Sequence, residues 1–287
     1  MPLPVILLPV GVDDAALDAC LAALEANTPA GTPVWLADDA QAGPRGLAVI
    51  EHWLARTALQ AEYTRRPRGI GEPAHLQQML QACGDADVAV LAPDALPAAG
   101  WLQQLGECLA RDASIATATP WSNAGETVAW PRVGELNALP VDAQRLAHAL
   151  AGMPLLQPEL PSAITHAVLI RGSARRRAGG LDTDSFGSWY AALVDLSLRM
   201  SGLGWRNVLC DNAFVGRGNE GKPADGDMEV LANRWPTWTE RLAAFLMNDP
   251  LHEHRQLLQQ RYAQAIMPAA QPDLFEPGAP LAGTERQ

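Results

Sequence analysis

A chain of 287 residues is enough for one large α/β domain or two small ones, and 48% hydrophobic with 18% charged residues excludes a disordered polymer. The formal net charge of −11 argues against nucleic-acid binding, which ordinarily needs a basic face. The four cysteines (Cys20, Cys83, Cys108 and Cys210) form no CxxC pair, so they read as reduced, mostly buried thiols of a cytoplasmic protein.

The opening MPLPVILLPVGVDD has no basic leader region and no small-residue cleavage site. Its apolar run is far shorter than the roughly 20 residues that span a bilayer, so residues 4–10 predict a strand. No transmembrane segment is expected. A helix is predicted over Asp14–Asn27, with Leu17, Cys20, Leu21 and Leu24 on one face. Residues 33–37 read as a second strand, ended by Asp38 and Asp39. A helix carrying Leu47, Ile50, Trp53 and Leu54 follows, then a short strand near 61–64 and the loop RRPRGIGEP. A helix over 74–83, an apolar strand over 88–91 and a helix over 100–111 complete this half. Strands alternating with helices of this length predict βαβ units and a parallel sheet, in which ligands bind at the carboxyl ends of the strands. Asp38, Asp39 and Asp94 all fall at such ends.

The second half is less regular. Residues 119–140, TPWSNAGETVAWPRVGELNALP, are rich in turn formers, and 154–161 is another loop. A strand over 167–170 leads through a basic turn to a helix over 188–200, closed by Gly202 and Gly204. Two short strands are predicted at 207–210 and 213–215, and amphipathic helices at 235–245 and 251–265. The tail from residue 268, with four prolines and two glycines, reads as disordered. There is no internal repeat.

In order, PVILLPVGVDDAALDACLAALEANTP, VWLADDAQ, RGIGEP and GDADVAVLAPDALPAAGWLQQL resemble the nucleotide-binding half of inverting family-two glycosyltransferases of the GT-A fold. TPWSNAG, GGLDTDSFG, VDLSLRMSGLGWRNVL and DNAFVGRGNEG resemble the same family's acceptor half. No single piece is specific; their ordered series, spanning about residues 4–255, carries the resemblance. It implies a Rossmann-like, mostly parallel sheet flanked by helices, with a C-terminal helical extension. The expected divisions are 1–118 for the nucleotide-sugar half, 119–232 for the acceptor half, 233–267 for terminal helices and 268–287 for the tail.

The same resemblance exposes what has changed. The family's strand-end Asp-x-Asp motif holds a divalent metal against the donor diphosphate; here Asp94 matches its second acid and Ala92 replaces the first. A histidine that adds a metal ligand is matched by Arg217, and the acid pair that holds the catalytic base is matched by Ala192 and Leu193. One carboxylate is a poor cage for Mg²⁺ or Mn²⁺, so no tightly held divalent metal, and no other cofactor, is expected. An arginine at 217 suits bidentate phosphate binding, or is a solvated loop residue.

The resemblance counts Pro9, Val10, Asp38, Asp39, Arg68, Gly69, Asp94 and Arg217 as nucleotide-binding, and Trp189 and Tyr190 as acceptor-stacking. A strand-end turn, an ordinary loop and buried aromatics are the respective structural alternatives. With the usual base missing, Asp195, Asp182 and Asp184 are the candidate replacements, although Asp195 also suits an i,i+4 ion pair with Arg199. His166 reads as a core or turn histidine.

Two functions remain open. One is a metal-independent transferase using a nucleotide-sugar donor and a glycan, lipid-linked or protein acceptor in bacterial glycan biosynthesis. The other is a catalytically inactive GT-A module that partners an active glycosyltransferase. A Rossmann-type nucleotide enzyme is disfavoured because GxGxxG is absent.

Overall fold

The computed structural model describes residues 3–219 and 221–265. The predicted tail from residue 268 therefore lies outside the described residues. The first half follows the alternation in the sequence: β1 (Val5–Pro9), α1 (Asp14–Asn27), β2 (Pro33–Asp38), α2 (Pro44–Leu54), β3 (Gln60–Arg65), α3 (Glu72–Ala82) and β4 (Val88–Leu91). The Asp13 side chain starts α1 by accepting from the backbone N–H groups of Ala15 and Ala16, each at 3.0 Å. Leu17, Cys20, Leu21 and Leu24 then recur at helical spacing and are all buried. β4 is buried at every position and β1 at its three central ones, because helices cover both faces of the sheet here.

β1 pairs in parallel with β2 and β4, and β2 with β3. The second half adds β5 (Ala95–Pro97), α4 (Trp101–Arg111), β6 (Ile115–Trp121), a 3₁₀ turn (Glu126–Val128), α5 (Ala143–Ala151), β7 (Ala167–Ile170), α6 (Gly172–Arg177) and α7 (Trp189–Gly202). It closes with β8 (Arg206–Arg217), α8 (Asp227–Arg234), α9 (Trp238–Asn248) and α10 (His252–Gln264). The strand order is β3-β2-β1-β4-β7-β6-β8-β5. β7 runs antiparallel to β4 and β6, β8 runs parallel to β6, and β5 pairs antiparallel with the end of β8.

One core layer packs α1, α2 and α4 on the sheet through Leu21, Trp53 and Trp101. The opposite layer packs α3, α7 and α9 through Leu76, Leu196 and Trp238. A third cluster, with Trp121, Leu150, Phe214 and Leu258, docks α5 and α10 against the ends of β6 and β8. Among the described residues, no helix is long and apolar enough to cross a membrane.

The departures from the sequence reading lie in the second half. Residues 119–121 finish a strand buried throughout, although TPW reads as a turn. Pro120 is tolerated because the β6–β8 register shifts between Pro120 and Trp121. β8 runs unbroken through Asp211 and Asn212 where two strands were expected. Helices α5 and α8 were not foreseen, and the predicted basic turn after β7 contains the short helix α6.

Candidate functional site

The carboxyl ends of β1 and β2 and the loop before α3 enclose a cavity of about 490 Å³. Pro9, Val10 and Gly11 form its floor, Asp39 and Gln41 one wall, Gly69, Gly71, Glu72 and His75 another, and Pro93 its far edge. Asp39 builds the second wall. One of its carboxylate oxygens accepts from Ile70 N–H at 3.0 Å, and the other accepts from Gly71 N–H at 2.9 Å. The Arg66 guanidinium lies 3.7 Å away. A Cβ at Gly69 would come within 3.0 Å of the Asp39 carbonyl oxygen, and Gly71 has φ +96°, so glycine suits this loop twice over. His75 is buried in the same wall, and that burial lowers its pKa.

A second cavity of about 90 Å³ shares Pro9, Glu72 and Pro93 with the first. Trp189 and Tyr190, at the start of α7, line it together with Thr165, Arg217 and Lys222. The Tyr190 hydroxyl donates to Glu126 at 2.7 Å. The expected nucleotide residues Pro9, Val10, Asp39 and Gly69 thus meet in one cavity, and the expected acceptor aromatics in its neighbour.

Asp94 and Arg217 meet because β5 pairs with β8 in a register that puts Ala95 opposite Arg217. Arg217 donates to Asp94 at 3.1 Å, and the backbone N–H of Asn219 donates to the other carboxylate oxygen at 2.7 Å. Asn123 clamps the arginine's backbone, accepting from its N–H at 2.8 Å and donating to its carbonyl at 3.0 Å. Arg217 is only 7% exposed, and its Nε is buried with no hydrogen-bond partner among the described residues. Burial, with the Arg217 charge added to it, pushes the His166 imidazole down to about 3.

Other expected site residues lie elsewhere. Asp38 is fully buried and engaged by its own turn and by β3: it accepts from Gln41 N–H at 2.7 Å and Tyr63 hydroxyl at 2.8 Å, and pairs with Arg65 at 3.2 Å. Arg68 is exposed and lines neither cavity. Asp195 is 0% exposed and accepts from Arg199 at 2.8 Å, Arg234 at 3.1 Å and Trp235 Nε1 at 3.0 Å. Asp182 accepts from Ser185 N–H at 3.1 Å and Arg234 at 2.8 Å, while Asp184 is exposed. None of these three aspartates lines either cavity, because α7 turns Asp195 toward α8 and the Asp182 loop closes over the same arginine.

Glu72, His75 and Gln41 line the site but carry no mark in the sequence. A single acid after a glycine loop and a histidine on a helix become legible only when the loop folds over β1.

Comparison with solved structures gives three related architectures. GalNAc-T7 with UDP, GalNAc and Mn²⁺ matches at TM-score 0.61 and 13% identity, over 90% of this chain and 54% of that one. The chain therefore spans about half the length of GalNAc-T7. The mannosyltransferase PcManGT from Pyrobaculum calidifontis, with GDP-Man and Mn²⁺, matches at 0.56 and 14% identity, over 91% of this chain and 73% of that one. S. aureus TarS 1-349 with UDP-GlcNAc matches at 0.52 and 13% identity, over 90% and 70%. The fold is GT-A. No family model and no curated protein matches the sequence.

Two of these GT-A structures hold Mn²⁺ beside a nucleotide or nucleotide sugar, and they overturn the expectation that divalent metal is not tightly held. The physical reason lies in the ligand count. Small divalent ions are commonly bound by one or two carboxylates plus substrate phosphates, so the carboxylates of the free chain undercount the ligands in a donor complex. The chain's own residues do not form a cage, however. Among the described residues no group of three or more His, Cys, Asp or Glu stands together, and both Asp94 oxygens are already engaged.

Proposed function

We propose that this GT-A chain binds a nucleotide-sugar donor and transfers its sugar to an acceptor hydroxyl. The observation that carries the reading is the pair of joined cavities at the carboxyl ends of β1 and β2, one of about 490 Å³ and one of about 90 Å³, sharing Pro9, Glu72 and Pro93. The larger suits a nucleoside, with Asp39 holding its wall. Arg217 stands in the smaller, where its guanidinium can meet the diphosphate and stabilise charge on the departing nucleotide. Tyr190, partly exposed, offers a face for an acceptor ring, while Trp189 is buried in the core at the cavity's edge.

The order of motifs from PVILLPV to DNAFVGRGNEG favours the inverting family-two enzymes within GT-A. A glycan, lipid-linked or protein acceptor is proposed, and the cytoplasm as the compartment, since all four cysteines are free thiols. The second reading, an inactive partner module, draws its support from the Asp94–Arg217 pair, which engages the one acid matched to the family's metal motif. Calorimetry with UDP, GDP, UDP-GlcNAc and GDP-mannose in Mn²⁺ buffer tests the donor site. Binding of at least one is expected, and binding of none overturns the reading. Donor binding without release of nucleoside diphosphate favours the partner module.

A further inference from the structure

Glu72 opens α3, directly after the glycine loop held by Asp39, and it is one of three residues that line both cavities. The other two are prolines, so Glu72 is the one ionisable group at the junction among the described residues. Its Oε2 accepts from Trp189 N–H, at the start of α7, at 3.2 Å. Its Oε1 has no hydrogen-bond partner among the described residues. Among the described residues, the neighbouring carboxylates are engaged. Asp39 is taken up by Ile70 and Gly71, and Asp94 by Arg217 and Asn219. Glu126 receives the Tyr190 hydroxyl and lines neither cavity.

We propose that Glu72 is the catalytic base of the transfer, taking the acceptor's hydroxyl proton on its free carboxylate oxygen. As the acceptor oxygen forms its bond to the anomeric carbon, the bond from that carbon to the diphosphate breaks. The nucleoside diphosphate leaves with the electron pair beside Arg217, and the proton ends on Glu72. This inference rests on the donor-site reading above.

The electrostatics suit the task. Desolvation in the crowded cleft raises the Glu72 pKa, opposed by the Trp189 N–H bond and the Arg217 charge. The side chain remains open to the cleft, so the shift reflects protein on most sides rather than full enclosure. A carboxylate whose pKa is raised is a stronger proton acceptor. Among the described residues, the charged and titratable groups that line the two cavities with it are Arg217 on β8, Lys222 after it, Tyr190 on α7, Asp39 after β2 and His75 on α3 itself.

Glu72→Gln keeps an oxygen for the Trp189 N–H while removing the base, so the fold should survive. The probes are UDP-GlcNAc and GDP-mannose in Mn²⁺ buffer, read by calorimetry for binding and by release of nucleoside diphosphate with water or added sugars as acceptor. Glu72→Gln should bind donor no more weakly than the unmodified chain, and release should fall about 100- to 10,000-fold. The unmodified chain's rate should rise with pH through a limb above the usual glutamate range, and that limb should vanish in the variant. Turnover within about threefold of the unmodified chain overturns the assignment, as does a loss of donor binding that accounts for all the lost turnover. An unmodified chain that binds donor but releases no nucleoside diphosphate also overturns it, with the donor site intact. Failure to bind any nucleotide instead overturns the donor-site reading itself.

Discussion

Asp39 and Asp94 follow two strands that flank β1, and both are almost buried, yet their partners differ in kind. Asp39 holds its cavity wall through backbone N–H groups of one glycine loop, about 30 residues away in sequence, and leaves the space beside it open. Asp94 meets a guanidinium 123 residues away, across the β5–β8 pairing, and the adjoining space is small. A carboxylate at a strand end is therefore not by itself a ligand site. Its role depends on whether backbone amides or a fixed cation reach it first.

Asp195 extends the contrast to a third carboxylate, one engaged by two arginines and a tryptophan, and gives the largest expected effect. Asp195→Ala leaves Arg199 and Arg234 without their shared partner. Breaking a buried pair costs about 3–5 kcal/mol, and the partly exposed arginines place the expected loss near the low end, about 3 kcal/mol. Urea denaturation measures it. Donor binding by the folded variant should persist, because Asp195 lines neither cavity.

Arg217→Ala tests the Asp94 side directly. If the guanidinium holds the diphosphate, UDP or GDP binding should weaken by about 1.5–3 kcal/mol, the range for hydrogen bonds to charged groups. Calorimetry on the folded variant would read a silent substitution as evidence that the arginine serves Asp94 alone.

His166 supplies a pH probe of the same side. Its folded pKa of about 3 lies below the unfolded value near 6.5. The unfolded chain therefore binds the extra proton between those values. Stability should fall as pH drops below about 6.5, by at most about 1.4 kcal/mol per pH unit, and this contribution levels off below about pH 3. The measure is the difference between the unmodified chain and His166→Gln in denaturant midpoints across that window, since other groups cancel in the comparison.

The smallest effect belongs to Arg68→Ala, on the rim of the Asp39 loop. Exposed and outside both cavities, it should change stability by less than about 0.5 kcal/mol and leave nucleotide binding unaltered. A clear loss of binding would extend the donor site beyond the cavity.

The first half of the fold was legible because its signals are local. The apolar period of Asp14–Asn27, the buried run of Val88–Leu91 and the acids closing β2 each announce their element within a dozen residues. The second half hid β6 behind Thr119 and Pro120, and it hid the continuity of β8 behind Asp211 and Asn212. In both places an irregular register, supplied by a partner strand, overrides local turn propensity.

By itself the sequence determined the βαβ order, the composition of the core faces and the positions of Asp39 and Asp94 at strand ends, since periodicity and strand punctuation are written into consecutive residues. Only the tertiary structure decided which acids are spent. Asp195 is neutralised by two arginines, Asp94 is paired across the sheet, and Glu72 is left at the junction of two cavities. Those outcomes depend on burial and on partners as many as 123 residues apart, which a carboxylate's place in the chain does not encode.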